Sequence, residues 1–90
     1  MTNLSAKRVL VVGLGITGRS VAHFLQDKVA ALALFDKDKK INTENLPPRA
    51  VLHLGEEDPA CLDAIDLVIP SPGVPRADVL LQRAVAAGIG

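Results

Sequence analysis

Two short turns hold the residues of this chain best suited to chemistry. The first is Gly13-Leu14-Gly15-Ile16-Thr17-Gly18, directly after Arg8-Val9-Leu10-Val11-Val12. The second is Ser71-Pro72-Gly73-Val74-Pro75, directly after Asp66-Leu67-Val68-Ile69-Pro70. A strand that ends in Gly-x-Gly-x-x-Gly and runs into a helix makes a cradle for phosphate. The glycines let backbone approach an anion, and the helix N-terminus offers unpaired N–H groups and a partial positive charge. Ser71-Pro72-Gly73 alone is only a turn. If the fold brings both turns to one end of a parallel sheet, they become two lips of a single crevice suited to a diphosphate-containing nucleotide.

The elements that would position these turns follow from hydrophobic patterning. Residues 8–12 are almost wholly apolar and rich in valine, as in a strand covered on both faces. A helix is predicted over 16–26, with Val21, Phe24, Leu25 and Lys28 along one stripe. Leu32-Ala33-Leu34-Phe35 reads as the second strand, closed by Asp36, and 50–54 as the third. The polar stretch from Lys37 to Pro48 is too broken for a crossover helix. Asp58 could cap a short helix that has Pro59 in its first turn and reaches Ala64. Residues 66–70 read as the fourth strand. A last helix is predicted over 77–87, with Leu80, Leu81, Ala84 and Val85 inward and Gly88 just past its end.

This succession implies an α/β fold: a Rossmann-like, doubly wound parallel sheet of four to five strands with right-handed crossovers and strand order 3-2-1-4(-5). The topological switch then falls between the first and fourth strands, whose C-terminal ends carry the two turns. Residues 1–90 form one domain. The closing Ala87-Gly88-Ile89-Gly90 reads as a helix cap followed by the start of another strand, so the chain is expected to be the N-terminal piece of a longer protein.

Composition narrows the partners. Ten basic and ten acidic residues cancel, and Phe24 and Phe35 are the only aromatics. There is neither a basic stripe nor a stacking platform, so no nucleic-acid partner is expected. A lone Cys61 excludes an internal disulfide and a multi-cysteine metal site. No apolar run approaches the ~20 residues of a membrane span, and the first residues lack a signal-peptide core; no membrane insertion and a cytoplasmic setting are expected.

Other polar residues are weighed against plainer roles. Asp36 sits where dinucleotide folds place an acid on a ribose hydroxyl; it could equally be a solvated strand-end carboxylate. Thr17 could cap the first helix, contact phosphate, or both. The Lys37-Asp38-Lys39-Lys40 run is a solvated loop or a source of a lysine at the crevice mouth. His23 reads as a surface residue, His53 lacks neighbours at ligand spacing, and Cys61 reads as a small buried side chain. No Gly-x-x-x-x-Gly-Lys-Ser/Thr loop and no catalytic triad occur. From these residues the chain is a binding domain for a diphosphate-containing nucleotide, with an NAD-binding domain of a dehydrogenase and a sensing module without chemistry among the readings left open.

Val-Val-Gly-Leu-Gly-Ile-Thr-Gly-Arg-Ser (11–20), Phe35-Asp36, and Asp66 to Val74 together resemble the N-terminal domain of the Mur ligases, most of all the branch that adds D-glutamate. The likeness covers nearly the whole chain. It implies a Rossmann-like domain that holds the UDP part of UDP-N-acetylmuramoyl-L-alanine rather than NAD. It also implies a downstream ATPase domain, using ATP and magnesium to phosphorylate the substrate carboxylate, and a C-terminal domain that helps bind D-glutamate. This piece by itself is then without a cofactor, a metal or catalytic residues. Carried over by motif position, Gly15, Ile16, Thr17 and Gly18 line the diphosphate and uridine. Asp36 and Lys37 flank the uracil or ribose, and Ser71, Pro72 and Gly73 form the opposite wall. The family often has an arginine two residues after the strand-end aspartate. This chain has Asp38 there, with Lys37, Lys39 and Lys40 around it, and a lysine does not reproduce a bidentate guanidinium.

Overall fold

A computed structural model describes residues 4–55, 62–72, 74 and 79–89. After a 3-10 turn at Leu4–Ala6 come β1 (Arg8–Val12), α1 (Ile16–Leu25), β2 (Ala31–Asp36), β3 (Val51–Leu54), β4 (Leu67–Pro70) and α2 (Val79–Ala86). The strands form one parallel sheet in the order β3-β2-β1-β4. The predicted strand order is therefore the observed one, and each strand lies within a residue of its expected bounds. The proposed helix around Pro59, and Cys61, lie outside the described residues.

The register sets two faces. Val9, Val11, Leu32 and Leu34 point to one side, where they pack with Leu14, Ala22 and Leu25 of the turn and α1. Leu10, Val12, Ala33 and Phe35 point to the other, against Leu80 of α2. Val9, Leu10, Leu14 and Leu80 are completely buried. Removing side chains of this size from water contributes roughly 1.5–3 kcal/mol each, which makes β1 the energetic centre of the domain.

The β2–β3 crossover contains no helix among its residues. Ile41, Leu46 and Ala50 pack instead against the α1-side core. Successive side-chain turns shape this loop. The Asp38 N–H donates to Asp36 Oδ1 at 2.8 Å, Lys40 N–H to Asp38 Oδ1 at 2.9 Å, and Glu44 N–H to Asn42 Oδ1 at 2.8 Å. Short acids and amides satisfy backbone donors locally and so replace a helix's own hydrogen bonds.

β4 joins β1 at its start through a reciprocal pair. Asp66 N–H donates to the Arg8 carbonyl at 2.8 Å, and Arg8 N–H donates to Asp66 Oδ2 at 2.9 Å. β4 lies at the edge of the sheet, and Leu67, Val68 and Ile69 are only half-buried. α2 ends as expected at Gly88, whose φ is +75°. Ile89 N–H reaches the Ala84 carbonyl and Gly88 N–H the Val85 carbonyl, both at 3.0 Å, closing the helix in a Schellman arrangement.

Two expected core positions are corrected. Phe24 is 62% exposed, with the Lys28 ammonium over its ring at 4.3 Å. α1 turns Gly18, Ala22 and Leu25 to the sheet, and this narrow, small-residue stripe leaves Phe24 outside. Val85 is 73% exposed, while Leu80 and Ala84 carry the contact of α2. Val85 instead borders an apolar groove of about 310 Å³ with Val68, Pro70, Leu81 and Ile89.

Candidate functional site

The C-terminal ends of β1, β2 and β4 stand side by side: Val12 pairs with Phe35, the residue before the end of β2, on one flank and with Pro70 on the other. The turn after β1, Asp36 at the end of β2 and Ser71 after β4 therefore share one edge of the sheet. The two turns expected to flank the switch point do lie at the same end of the sheet. The two lips are in contact, because Gly13 lies directly beneath Ser71 and Val74. A Cβ on Gly13 would overlap the Ser71 hydroxyl and the Val74 side chain, and its φ of +92° is one that glycine adopts without strain. Ser71 is held by its own N–H, which donates to the Val12 carbonyl at 2.8 Å.

The glycines of the first turn do different work. Gly18 is buried, and a Cβ there would run into the Gly13 carbonyl oxygen; its absence lets α1 start close against the turn. Gly15 is the N-cap of α1 and faces open space, with no atom within 4 Å of an added Cβ. Its φ of −71° is open to any residue, so what glycine provides at this position is bare access to backbone rather than an unusual angle. Ile16 is 89% exposed and Thr17 is exposed beside it. No side chain caps α1. Thr17 lies inside the first turn of the helix, so its capping reading is not met. The N–H groups at this end have no intrahelical acceptors, and they meet the crevice with the positive end of the helix dipole.

Leu14 anchors the turn. Gly13 N–H donates to the Phe35 carbonyl and Leu14 N–H to Asp36 Oδ2, both at 2.8 Å. The Leu14 carbonyl accepts from Arg19 Nε at 2.9 Å. Arg19 also donates from Nη2 to the Asn42 carbonyl, and one helical turn on, His23 Nε2 meets the Asn45 carbonyl. Asp36 thus takes a backbone donor on each oxygen, from Leu14 and from Asp38. Its first task is to fasten the turn, a task its type and spacing did not announce. Lone pairs remain on both oxygens for a ligand hydroxyl.

The remaining candidates fall around this edge. Lys37 is exposed next to Asp36, and Pro72 is exposed beside Ser71. Gly73 lies outside the described residues. The Lys39 stem lies over Gly55, whose φ is +96°. His53 is half-buried within β3, paired with Phe35, and His23 is exposed, as read from the sequence.

Comparison with known proteins agrees with this arrangement. Residues 7–90 match the family model described as Mur ligase MurD-like, N-terminal domain. A UDP-N-acetylmuramoylalanine--D-glutamate ligase of Vibrio vulnificus is 37% identical over 86 residues, covering 92% of this chain and 20% of that protein. The enzyme of the same name from Bdellovibrio bacteriovorus is 40% identical over 93 residues, covering 98% and 20%. That of Chlamydia trachomatis serovar D is 36% identical over 88 residues, covering 96% and 20%. The chain thus spans about one fifth of the length of the curated relatives it matches.

Proposed function

Since the chain belongs to the MurD-like N-terminal domain family of the Mur ligases, we propose that it holds the UDP end of UDP-N-acetylmuramoyl-L-alanine for a ligase that adds D-glutamate during peptidoglycan synthesis. The observation that carries this reading is the open N-terminus of α1 at Gly15, facing the crevice where Ser71 seats on Gly13. The diphosphate lies against the Gly15-Ile16-Thr17-Gly18 backbone, whose N–H groups neutralise it without a lysine. Exposed Ile16 offers an apolar surface to the uracil. Asp36 and Lys37 border base and ribose, and Ser71, Pro72 and Gly73 form the facing wall.

The reaction assigned to the whole protein couples ATP hydrolysis to amide formation: a substrate carboxylate is activated by phosphorylation and then attacked by the amine of D-glutamate. On this reading ATP, magnesium and D-glutamate are handled by downstream ATPase and C-terminal domains, the chain spanning one fifth of the relatives' length. Among the described residues no group of three or more His, Cys, Asp or Glu side chains is placed to hold a metal. The role of residues 1–90 is to bind and orient, in a cytoplasmic setting. None of the described helices is long and apolar enough to cross a membrane.

Titration of the 90-residue chain with UDP and with NAD, followed by amide chemical shifts, tests the reading. UDP should move the signals of residues 14–18, 36–37 and 71–74. Tighter binding of NAD at the same residues would replace the ligase reading with that of a dehydrogenase domain.

A further inference from the structure

We propose that Arg19 is a positioning residue that locks the β2–β3 loop to the glycine turn, so that the turn and the loop that follows Asp36 are set by one guanidinium. The proposal deepens the UDP-binding reading and rests on it.

Leu14 is the common node. Its N–H is taken by Asp36, which with its other oxygen also holds Asp38, the entry to the loop. Its carbonyl is taken by Arg19 Nε at 2.9 Å, and the same guanidinium reaches the Asn42 carbonyl in the middle of the loop. Two routes therefore run from one turn residue to two points of one loop. His23, four residues beyond Arg19 and so on the same helical face, adds a third tie at Asn45. Below these polar ties, Ile41 and Leu46 seat the loop on the core. A crossover without a helix cannot organise itself by repetitive backbone bonds; α1 supplies the order from outside, through side chains that end on loop carbonyls.

The chemistry selects arginine. A planar fork with several N–H donors can satisfy two carbonyls in fixed directions at once. Both acceptors are neutral backbone carbonyls. With Arg19 engaged in this way, the positive pole left for the diphosphate is the backbone of α1 itself, and the arginine acts through Leu14 and Asn42 rather than on the ligand.

The test compares Arg19→Gln and Arg19→Lys with the natural chain by amide hydrogen exchange and UDP titration. Exchange at residues 41–46 should quicken roughly tenfold in both variants, the loss expected for hydrogen bonds to a charged donor, while residues 9–12 stay protected. UDP affinity should fall by roughly the same factor, with shift changes lost at 36–37 as well as at 14–18. Lysine should not rescue, because a single ammonium does not span both carbonyls. Unchanged exchange at 41–46, full rescue by lysine, or quickened exchange with undiminished UDP affinity would each overturn the proposal. If the natural chain binds no UDP while the loop loosens as described, the tie stands and the UDP reading fails. Loss of protection at 9–12 in Arg19→Gln would make Arg19 a residue of the core fold instead and also overturn the proposal.

Discussion

Asp36 Oδ2 accepts a hydrogen bond from the Leu14 N–H at 2.8 Å, joining two residues 22 positions apart at the centre of the crevice edge. A carboxylate acceptor on the backbone N–H of a buried residue is among the stronger polar contacts a small domain makes. Asp36→Ala should cost about 1–2 kcal/mol in chemical denaturation, because it leaves both Leu14 and Asp38 N–H groups to find water. The Leu14 amide proton should move markedly in the spectrum. A stability change below about 0.5 kcal/mol would show that the carboxylate does not fasten the turn.

Gly15 and Gly18 should separate folding from access. Gly18→Ala drives a methyl group into the Gly13 carbonyl and should destabilise by about 1–3 kcal/mol, as overpacking does. Gly15→Ala adds its methyl group to open space and should change stability by no more than about 0.5 kcal/mol. Thermal melts of the two variants decide this, and equal melting temperatures would contradict the placement of α1.

A bulkier side chain at Gly15 should act on binding alone. In Gly15→Val the backbone angle remains allowed, but the branched side chain stands over the N–H groups at the start of α1. UDP-induced shifts at 14–18 should vanish while the exchange protection of β1 and β2 persists. Normal UDP binding by this variant would mean that diphosphate does not approach the turn.

What could be read from the sequence, and what could not, divides along a physical line. β1 to β4 and their order follow from apolar runs separated by turns and from the handedness of crossovers, both of which are local or general. The crevice edge follows because glycines mark where the chain must bend. The hydrogen bonds of Asp36 and Arg19 were not legible. A side chain that ends on a distant backbone carbonyl or N–H leaves no pattern of residue types, since every residue offers those groups. Phe24 and Val85 were misplaced for a related reason. Helical periodicity gives the direction of an apolar stripe but not its width, which depends on how closely Gly18, Ala22 and Ala84 let the helices approach.

The apolar groove between β4 and α2 should govern solubility. Val85, 73% exposed, forms one wall of it, beside an edge strand that has no outer neighbour among the described residues. Val85→Lys places a cation in the last turn of α2, where the helix dipole favours it. Stability should hold within about 0.5 kcal/mol. Sedimentation at high protein concentration should show less self-association than in the natural chain; an unchanged distribution would show that this edge does not associate.

The reciprocal pair between Arg8 and Asp66 closes a loop with a sequence separation of 58. Contacts between β1, α1 and β2 are far more local, and so is the Leu14–Asp36 bond. Bringing distant segments together costs chain entropy before any contact repays it, and long-range parallel pairing is correspondingly slow. One lip of the crevice is therefore expected to assemble first, with the first two strands, and the other when β4 docks. A ligand that needs both lips discriminates between a nearly folded chain and a finished one. On the proposed UDP-binding reading, recognition of nucleotide is in this sense a late checkpoint of maturation, expected only after most of the sheet has formed.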